Sequence, residues 1–337
     1  MKSMKKCCLF FVLSILPALI TAEKVTTLSQ PLNPHKIIVS GNQMIVEDFP
    51  KIHIFSLEDF RLQRSFGEKG EAPGEFFPRS GYVRLNIHVQ KDFIFVESNG
   101  KLSFFSRDGT FLREMNSAAA GYLFQPMGKN KFIGLRNVGE KGMLYKTVNI
   151  YDSNLKIKKE IFRIKHGSQA GKSIVLFDKA LRYFMDGRCI YIVHDFDFLI
   201  EVFDRNGNHV RTIHKKDYRH LEITEEHKRR THNHLKRHLR TYPQMKHRLK
   251  FPSTFLAVRD IELDDRKLYV TTFKREKGTV ECFIIDQEGT IQERLFLPLI
   301  EENILREYPF DIHNGKVYQL VENEETEHWE LHMSGIR

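Results

Sequence analysis

Apolar and polar residues alternate in short segments along most of the chain, and each segment runs into a polar turn followed by a charged strand. A period of two is that of a β-strand with one buried face. Five such hairpins cover residues 53–64, 102–113, 148–158, 200–211 and 282–292. Gly109, Gly207 and Gly289 supply the positive φ that a tight hairpin demands. Asp59 and Asn154 are weaker turn signals of the same kind in the other two hairpins.

The hairpins recur at a nearly constant interval. Their anchors are Phe55, Phe105, Tyr151, Phe203 and Ile285, with spacings of 50, 46, 52 and 82 residues. Removing the 36 residues of segment 215–250 reduces the last spacing to 46. Each hairpin follows an inner strand pair, and four short strands per 40–50 residues are typical of a β-propeller. The fold predicted is all-β, a propeller over residues 23–337 with an α-helical insertion at 215–250.

Six blades account for the repeat. The last unit begins at Gly315 and ends at Arg337 without an outer strand. A β-prone piece at the other end of the chain, Lys24 to Leu28, is available to supply it. We therefore predict six four-stranded antiparallel blades in a ring that strands from both termini close.

A glycine-rich phrase follows the first hairpin: Phe66-Gly-Glu-Lys-Gly-Glu-Ala-Pro-Gly-Glu-Phe-Phe-Pro78. It resembles the linker between blades in NHL-repeat proteins and in the related bacterial exported six-bladed β-propeller proteins. The resemblance implies that the glycines let the backbone pass close to a neighbouring blade and that a Phe packs between blades. Propellers of this kind share a fold more than an activity, so the resemblance assigns no function.

The first 22 residues have the pattern of a signal peptide. Lys2, Lys5 and Lys6 precede an apolar run, and Ala22 ends an acceptable cleavage site. The run is too short for a comfortable membrane span of about 20 residues. We predict an exported protein, periplasmic or extracellular after cleavage, with a retained N-terminal anchor as the alternative. Export permits a disulfide between Cys189 and Cys282, but two buried thiols explain their apolar surroundings better.

The positive charge of the chain is local. The net charge is +10, of which the signal segment contributes three lysines, while residues 215–250 hold twelve Lys/Arg and four Asp/Glu. The rest of the mature chain is close to neutral. Thr224, with Glu225 and Glu226 after it, predicts the start of a helix that runs to about Tyr242. The plainest interpretation is a structural cap that docks on a propeller face by a narrow leucine stripe.

Three functional hypotheses compete with a structural cap. The first is binding of an anionic surface or polymer, with Lys228, Arg229, Arg230, Lys236, Arg237 and Arg240 as the ligand-binding residues. The second is a metal site at His227, His234 and His238, which share one side of the helix but lack a Glu in a His-Glu-x-x-His pattern. The third is a pH switch, since six of the sixteen histidines lie in this segment.

Acidic residues at strand ends are the weak candidates for catalysis. Asp195 and Asp197 follow one strand, and Asp260, Glu262, Asp264 and Asp265 form a second cluster. In metal-dependent lactonases and similar six-bladed enzymes, acids, Asn and His from inner strands converge on a central ion. The chain offers no complete ligand set of that kind, and ordinary turn acids explain both clusters. We assign no catalytic residue.

The function expected is a non-catalytic exported binding or scaffold propeller for a protein, peptide or glycan. Two alternatives stay open: a metal-dependent lactonase-like hydrolase or lyase, and attachment to an anionic envelope surface through the basic helix. We expect no cofactor, with a divalent metal only under the enzyme alternative. Nucleic acid is not an expected partner, because the basic segment is poor in the aromatic residues that stack on bases. The protein is expected to be a monomer.

Overall fold

Six four-stranded antiparallel sheets form a ring in the computed structural model of the chain. The structure describes residues 22–77, 85–128, 130–168, 174–176, 181–241 and 249–336. For residues 166–168, 174, 175, 237–239 and 241 it describes the backbone only. The all-β prediction with six blades and one helix is confirmed. The signal peptide predicted for residues 1–22 lies, apart from its last residue, outside the described residues.

The first three blades follow one another along the chain. The first blade contains β2 (Lys36–Ser40), β3 (Gln43–Asp48), β4 (Lys51–Ser56) and β5 (Leu62–Phe66). The second contains β6 (Asn86–Val89), β7 (Phe93–Ser98), β8 (Lys101–Ser106) and β9 (Phe111–Asn116). The third contains β10 (Tyr122–Pro126), β11 (Lys131–Glu140), β12 (Met143–Asp152) and β13 (Ile157–Ser168).

The other three blades complete the ring. The fourth contains β15 (Leu181–Met185), β16 (Cys189–His194), β17 (Leu199–Asp204) and β18 (His209–His214). The fifth contains β20 (Asp260–Asp264), β21 (Lys267–Glu276), β22 (Thr279–Ile285) and β23 (Ile291–Leu297). The sixth joins β26 (Phe310–His313), β27 (Lys316–Asn323) and β28 (His328–Gly335) to β1 (Glu23–Leu28).

The ring closes as the repeat predicts. Strand β1 pairs with β28 in antiparallel register, with Leu28 opposite Trp329. Leu28, Trp329 and Leu320 pack in one core cluster between the sixth and first blades. Burial of these side chains at the seam gives the non-local pairing its driving force.

Antiparallel blades distribute their loops to two different faces of the ring. The links from one blade to the next, and those between the second and third strands, lie on one face, which we call the connection face. The turns between first and second strands and between third and fourth strands lie on the opposite turn face. The helix α1 (Glu225–Thr241) follows β18 and precedes β20, so it belongs to the connection face.

Two short ribbons also lie on the connection face. Strand β14 (Ile174–Val175) pairs in parallel with β19 (Leu249–Lys250), and β24 (Glu301–Asn303) pairs with β25 (Arg306–Glu307).

The hairpin turns share one geometry with a β-bulge at the third strand. In the fourth blade the Asp204 backbone N–H donates to Asn208, and its carboxylate accepts from the N–H of Asn206 and Asn208. Gly207 takes the positive φ there. In the two turns without glycine, the positive φ belongs to Phe60 and Leu155, so the prediction that Asp59 and Asn154 mark those positions is corrected. Turn geometry and burial of Leu155 outweigh the local preference of Asp and Asn.

The linker 66–77 packs between the first and second blades. Phe76 is fully buried, and its ring lies 5.8 Å from that of Phe105 in the second blade. Gly67 has φ +89, and a Cβ there would lie 2.7 Å from the Pro50 carbonyl oxygen. The predicted packing Phe is therefore present. The close passage at Gly67 is to Pro50 of the same blade, whereas a Cβ at Gly74 would lie 3.1 Å from the Phe111 ring of the neighbouring second blade. Pro78 lies outside the described residues.

The helix begins where the sequence predicts. Thr224 Oγ1 accepts from the backbone N–H of His227 at 3.4 Å, and His227 Nδ1 accepts from the Thr224 N–H at 3.1 Å. This reciprocal pair satisfies two donors at the start of α1. Both Cys189 and Cys282 are free thiols, and Cys282 is buried as predicted, whereas Cys189 is only partly buried. None of the described helices is both long and apolar enough to cross a membrane.

Candidate functional site

The inner strands of all six blades surround a central channel of about 640 Å³. Strand β20 shows how sequence shapes its wall, because alternate residues of a strand point to opposite faces. Ile261 and Leu263 pack into the core shared with the fourth blade. Glu262, between them, lines the channel. Ile261 and Leu263 anchor the strand in this core, and Glu262 brings an acidic side chain to the channel.

Glu262 and Asp311 form an acidic pair in the channel. Burial raises the pKa of Glu262 well above its usual value, and the charges of Asp311 and Asp260 raise it further. Part of the Glu262 side chain is accessible from the channel. The protein on its other sides excludes water from the carboxyl group, and this raises the pKa. Burial also raises the pKa of Asp311 to about 7. This pair therefore retains protons at pH values at which exposed carboxylic acids are fully ionised.

Two basic side chains share the channel with this pair. Lys36 Nζ donates to the Ile87 carbonyl oxygen at 3.1 Å, which ties the first inner strand to the second. Burial lowers the pKa of His88 well below its usual value, and the positive charge of Lys36 lowers it further. His88 is thus a neutral hydrogen-bonding group at neutral pH, and the Lys36 side chain lies near it in this part of the channel.

Arg182 joins the two acidic clusters that the sequence singles out. Its Nη2 lies 2.6 Å from Asp195 Oδ1, and its Nη1 lies 3.1 Å from Asp260 Oδ1. The Asp195 side chain is only 3% exposed, and burial raises its pKa to about 6 although Arg182 opposes this shift. Asp264 instead accepts from the backbone N–H of Asn314 and Gly315. These acids hold neighbouring blades together.

A second apolar layer covers part of the connection face. Ile223, Phe255 and Ile304 form its buried centre together with Leu256 and Phe273. Ile223 comes from the insertion, Phe255 and Leu256 from the segment between the insertion and β20, Phe273 from β21, and Ile304 from the link between the fifth and sixth blades. The insertion is therefore integrated into the propeller through its flanking segments.

A small cavity of about 250 Å³ lies between α1 and this layer. Its charged lining consists of Arg230, Arg259, Arg275 and Glu301, with His227 beside them. Arg230 Nη2 lies 2.5 Å from Glu301 Oε2, so an ion pair fastens the helix to the 5–6 link. Because Arg259 lines this cavity and the channel, it separates the two spaces.

The predicted basic residues of α1 differ in their contacts. Lys228 and Arg229 form ion pairs with Glu225 and Glu226 on the same helix, both at 2.6 Å. Lys236 and Arg240 have exposed side chains. Arg230 is held by the 5–6 link, and the side chain of Arg237 lies outside the described residues. A binding role for this set stays a prediction.

The predicted histidine cluster is only partly described. His227 lines the small cavity, where its ring packs edge-on against Phe255 at 4.9 Å. His234 is exposed, and the side chain of His238 lies outside the described residues. Within the described ranges, no group of three or more His, Cys, Asp or Glu side chains is placed to hold a metal ion. The expectation of no cofactor stays a prediction.

Sequence reasoning missed two residues of these sites: Asp311, which lines the channel, and Arg259, which lines the channel and the small cavity. Asp311 lies on β26, a strand of four residues that the repeat did not separate from the preceding loop. Arg259 directly precedes β20 and belongs to none of the motifs that the sequence analysis singles out. The period of the blade repeat could have located Asp311, because it predicts an inner strand shortly before the hairpins of each blade.

These features define a six-bladed β-propeller with one elaborated face. No protein-family model matches the chain, and no curated protein matches it either. Among solved structures, the fold is similar to that of a "putative exported protein" from Bacteroides fragilis, with a TM-score of 0.56, 13% identity and 94% of each chain covered. At this identity, the similarity shows the fold alone.

Two further solved structures are similar at lower scores. A member of the DUF4221 family from Bacteroides vulgatus has a TM-score of 0.44 at 10% identity, covering 94% of this chain and 99% of its own. A luciferin-regenerating enzyme has a TM-score of 0.41 at 9% identity, covering 94% of this chain and 95% of its own.

Proposed function

We propose that this protein is a non-catalytic exported binding or scaffold module that holds a protein, peptide or glycan on its connection face. The observation that carries the proposal is the asymmetry between the two faces. The turn face bears tight turns, whereas the connection face carries α1, two ribbons, an apolar layer and the small cavity. Binding residues typically lie on loops that a rigid scaffold positions.

The channel adds polar groups to that face. Arg182 is bound on one side by Asp195 and on the other by Asp260, and Glu262 and Asp311 retain protons. These groups supply hydrogen-bond donors and acceptors with little net charge. Such a lining suits a polar ligand such as a peptide backbone or a sugar.

Binding to arrays of peptides and glycans tests the proposal on the full chain. We compare the wild type with Lys36→Gln, in the channel wall near the connection face, and with Lys131→Gln, an exposed residue on the turn face. A ligand retained by Lys131→Gln and weakened about fivefold or more by Lys36→Gln supports the proposal. The proposal is contradicted if no ligand binds, or if neither substitution changes the affinity for the ligand that does. Conversion of a bound ligand to product would show the lactonase-like alternative instead.

Export is part of the proposal and has its own test. The supporting pattern is the basic start, apolar run and small-residue cleavage site of residues 1–22. Expression of the full chain in a bacterial host, followed by fractionation and N-terminal sequencing, should give a chain that begins at Glu23 outside the cytoplasm. An uncleaved, membrane-attached chain would show the retained anchor.

Attachment to an anionic envelope surface is a second candidate function. It is favoured by the exposure of Lys236 and Arg240 at the end of α1 distant from its acidic first turn. Co-sedimentation with phosphatidylserine vesicles should weaken as salt rises and fall in Lys236→Glu/Arg240→Glu. Lys131→Glu is the matched control on the turn face. Equal binding to neutral vesicles would contradict this function.

A further inference from the structure

Arg259 is a buried cation with unused hydrogen-bond donors. Only 5% of its side chain is exposed, and its Nη1 lies 2.8 Å from Glu307 Oε1. Neither Nε nor Nη2 has a hydrogen-bond acceptor in the described part of the chain. Glu301 Oε1 lies 3.8 Å from Nη2, too far for a hydrogen bond. Buried donors of this kind almost always have an acceptor, so the missing partner points to a ligand.

The unused donors have the geometry of a carboxylate receptor. Nε and Nη2 lie on one edge of the planar guanidinium, and their N–H bonds point in nearly the same direction. Such an edge matches the two oxygens of one carboxylate. Arg259 lines the small cavity, where the Glu301 carboxylate lies beside Nη2 and leaves the two donors with almost no accessible surface, so a ligand carboxylate would reach this edge by displacing Glu301.

The surroundings of Arg259 also favour an anion. The guanidinium groups of Arg230, Arg259 and Arg275 meet there, against the carboxylates of Glu301 and Glu307. Three positive charges against two negative ones leave one positive charge. A single carboxylate on the ligand would balance it.

The rest of the cavity is apolar. The rings of Phe255 and Phe273 stack at 4.8 Å with an angle of 20° between them, and Leu221 and Ile304 complete the wall. The Arg259 guanidinium carbon lies 5.0 Å from the centre of the Phe273 ring, which orients the arginine. One wall thus suits a hydrocarbon group, and the other suits an acid.

We propose that the small cavity binds the carboxylate end of an apolar group, with Arg259 as the bidentate receptor. Two sources have this chemistry: the C-terminal residue of a peptide with an apolar side chain, and a short carboxylic acid. The volume of about 250 Å³ matches a group of that size. The inference rests on the proposed binding function and names the ligand chemistry for one part of the connection face.

Calorimetric titration of the full chain with four probes tests this site. The probes are a short N-acetylated peptide that ends in leucine with a free carboxylate, the same peptide as its C-terminal amide, hexanoate and inorganic phosphate. We expect the free acid to bind at least about tenfold more tightly than the amide. Binding of hexanoate at equal affinity assigns the site to free carboxylic acids, whereas a clear preference for the peptide assigns it to chain termini. Equal affinity of acid and amide, or of phosphate and acid, overturns the proposal.

Two substitutions locate the binding. Arg259→Lys keeps the charge but loses the two-donor edge, so the free acid should bind about tenfold more weakly. Arg266→Lys makes the same chemical change at an exposed residue of the turn face and should leave affinity unchanged. If Arg259→Lys does not fold by circular dichroism, Leu221→Phe fills the cavity without removing a charge and should abolish binding.

Unchanged affinity in a folded Arg259→Lys or Leu221→Phe variant overturns the assignment. The proposed function fails separately. If ligands from the arrays still depend on Lys36 but none of the carboxylate probes binds, the connection face is a binding face and the carboxylate site is wrong.

Discussion

The Asp311 carboxylate of the sixth blade accepts a 2.5 Å hydrogen bond from the backbone N–H of Val39 in the first blade. Val39 lies on β2, the innermost strand of its blade, which has a neighbouring strand on one side only. Asp311 provides an acceptor on the other side, next to the seam that β1 and β28 close. The same carboxyl belongs to the acidic pair of the channel. Closure of the ring and protonation of the channel are therefore linked at one residue.

This link predicts that the free energy of unfolding decreases as the pH rises toward about 7. An unfolded chain releases the Asp311 proton near pH 4, whereas the folded protein retains it up to about pH 7. Between these values the unfolded state binds fewer protons, so the free energy of unfolding decreases with pH. Asp311→Asn keeps an oxygen for the Val39 N–H and removes the titration. The free energy of unfolding of Asp311→Asn, measured relative to that of the wild type, should increase by about 2 kcal/mol as the pH rises from about 5 to 8.

Urea denaturation at several pH values measures this difference. Glu262, Asp264 and Lys36 also act on Asp311, so the midpoint reflects the group of charges. Asp265→Asn, an exposed change on the turn face, is the control and should leave the pH slope unaltered. Parallel pH profiles for the wild type and Asp311→Asn would contradict the prediction.

Loss of Arg182 should destabilise the protein more at high pH than at low pH. Arg182→Gln leaves the Asp195 carboxylate, 3% exposed, without its cation. We expect a loss of about 2 kcal/mol near pH 8, since a buried unpaired charge is costly. The loss should shrink near pH 5, because burial already raises the Asp195 pKa to about 6 with Arg182 present. Arg182→Gln/Asp195→Asn should recover most of the stability in the same urea measurements.

Substitution of Gly207 should reveal contact between blades. A Cβ at Gly207 would lie 2.2 Å from Ile161 Cγ2 in the third blade, and φ is +74. Gly187 has a similar φ of +86 but no atom within 4 Å of such a Cβ. We expect Gly187→Ala to cost about 1 kcal/mol from backbone strain and Gly207→Ala about 3 kcal/mol from strain and overlap. Equal losses would show that the blades do not pack closely there.

The closing strand should contribute directly to stability. Leu28 is 2% exposed at the seam between the last and first blades, whereas Val25 on the same strand is 42% exposed. Leu28→Ala should lower the free energy of unfolding by about 3 kcal/mol, and Val25→Ala by less than about 0.5 kcal/mol. Thermal and urea denaturation check both values. A Leu28→Ala variant as stable as Val25→Ala would mean that the seam is not closed by β1.

Elements with a strong local pattern were predictable from the sequence. The hairpin at 200–211 has strict alternation and a glycine turn, and Thr224 with two acids after it marks the start of α1. The innermost strands lack such a pattern. Strand β6 has only four residues, Asn-Ile-His-Val, which alone is indistinguishable from a loop. It becomes a strand because β7 lies beside it and neighbouring blades cover its apolar side chains.

The repeat and the position of the helix follow from the order of apolar, polar and glycine residues, because these features depend on neighbours in the chain. The pairing of β1 with β28 is non-local, but the repeat predicts it because the last unit lacks an outer strand. The candidate sites do not follow from that order. Asp195 and Asp260 are 65 positions apart in the sequence, and Arg182 meets both because two adjacent blades bring their inner strands together. Arg259 became a buried receptor only through packing of the insertion, β21 and the 5–6 link around it. Such convergence depends on tertiary packing, which no local pattern encodes.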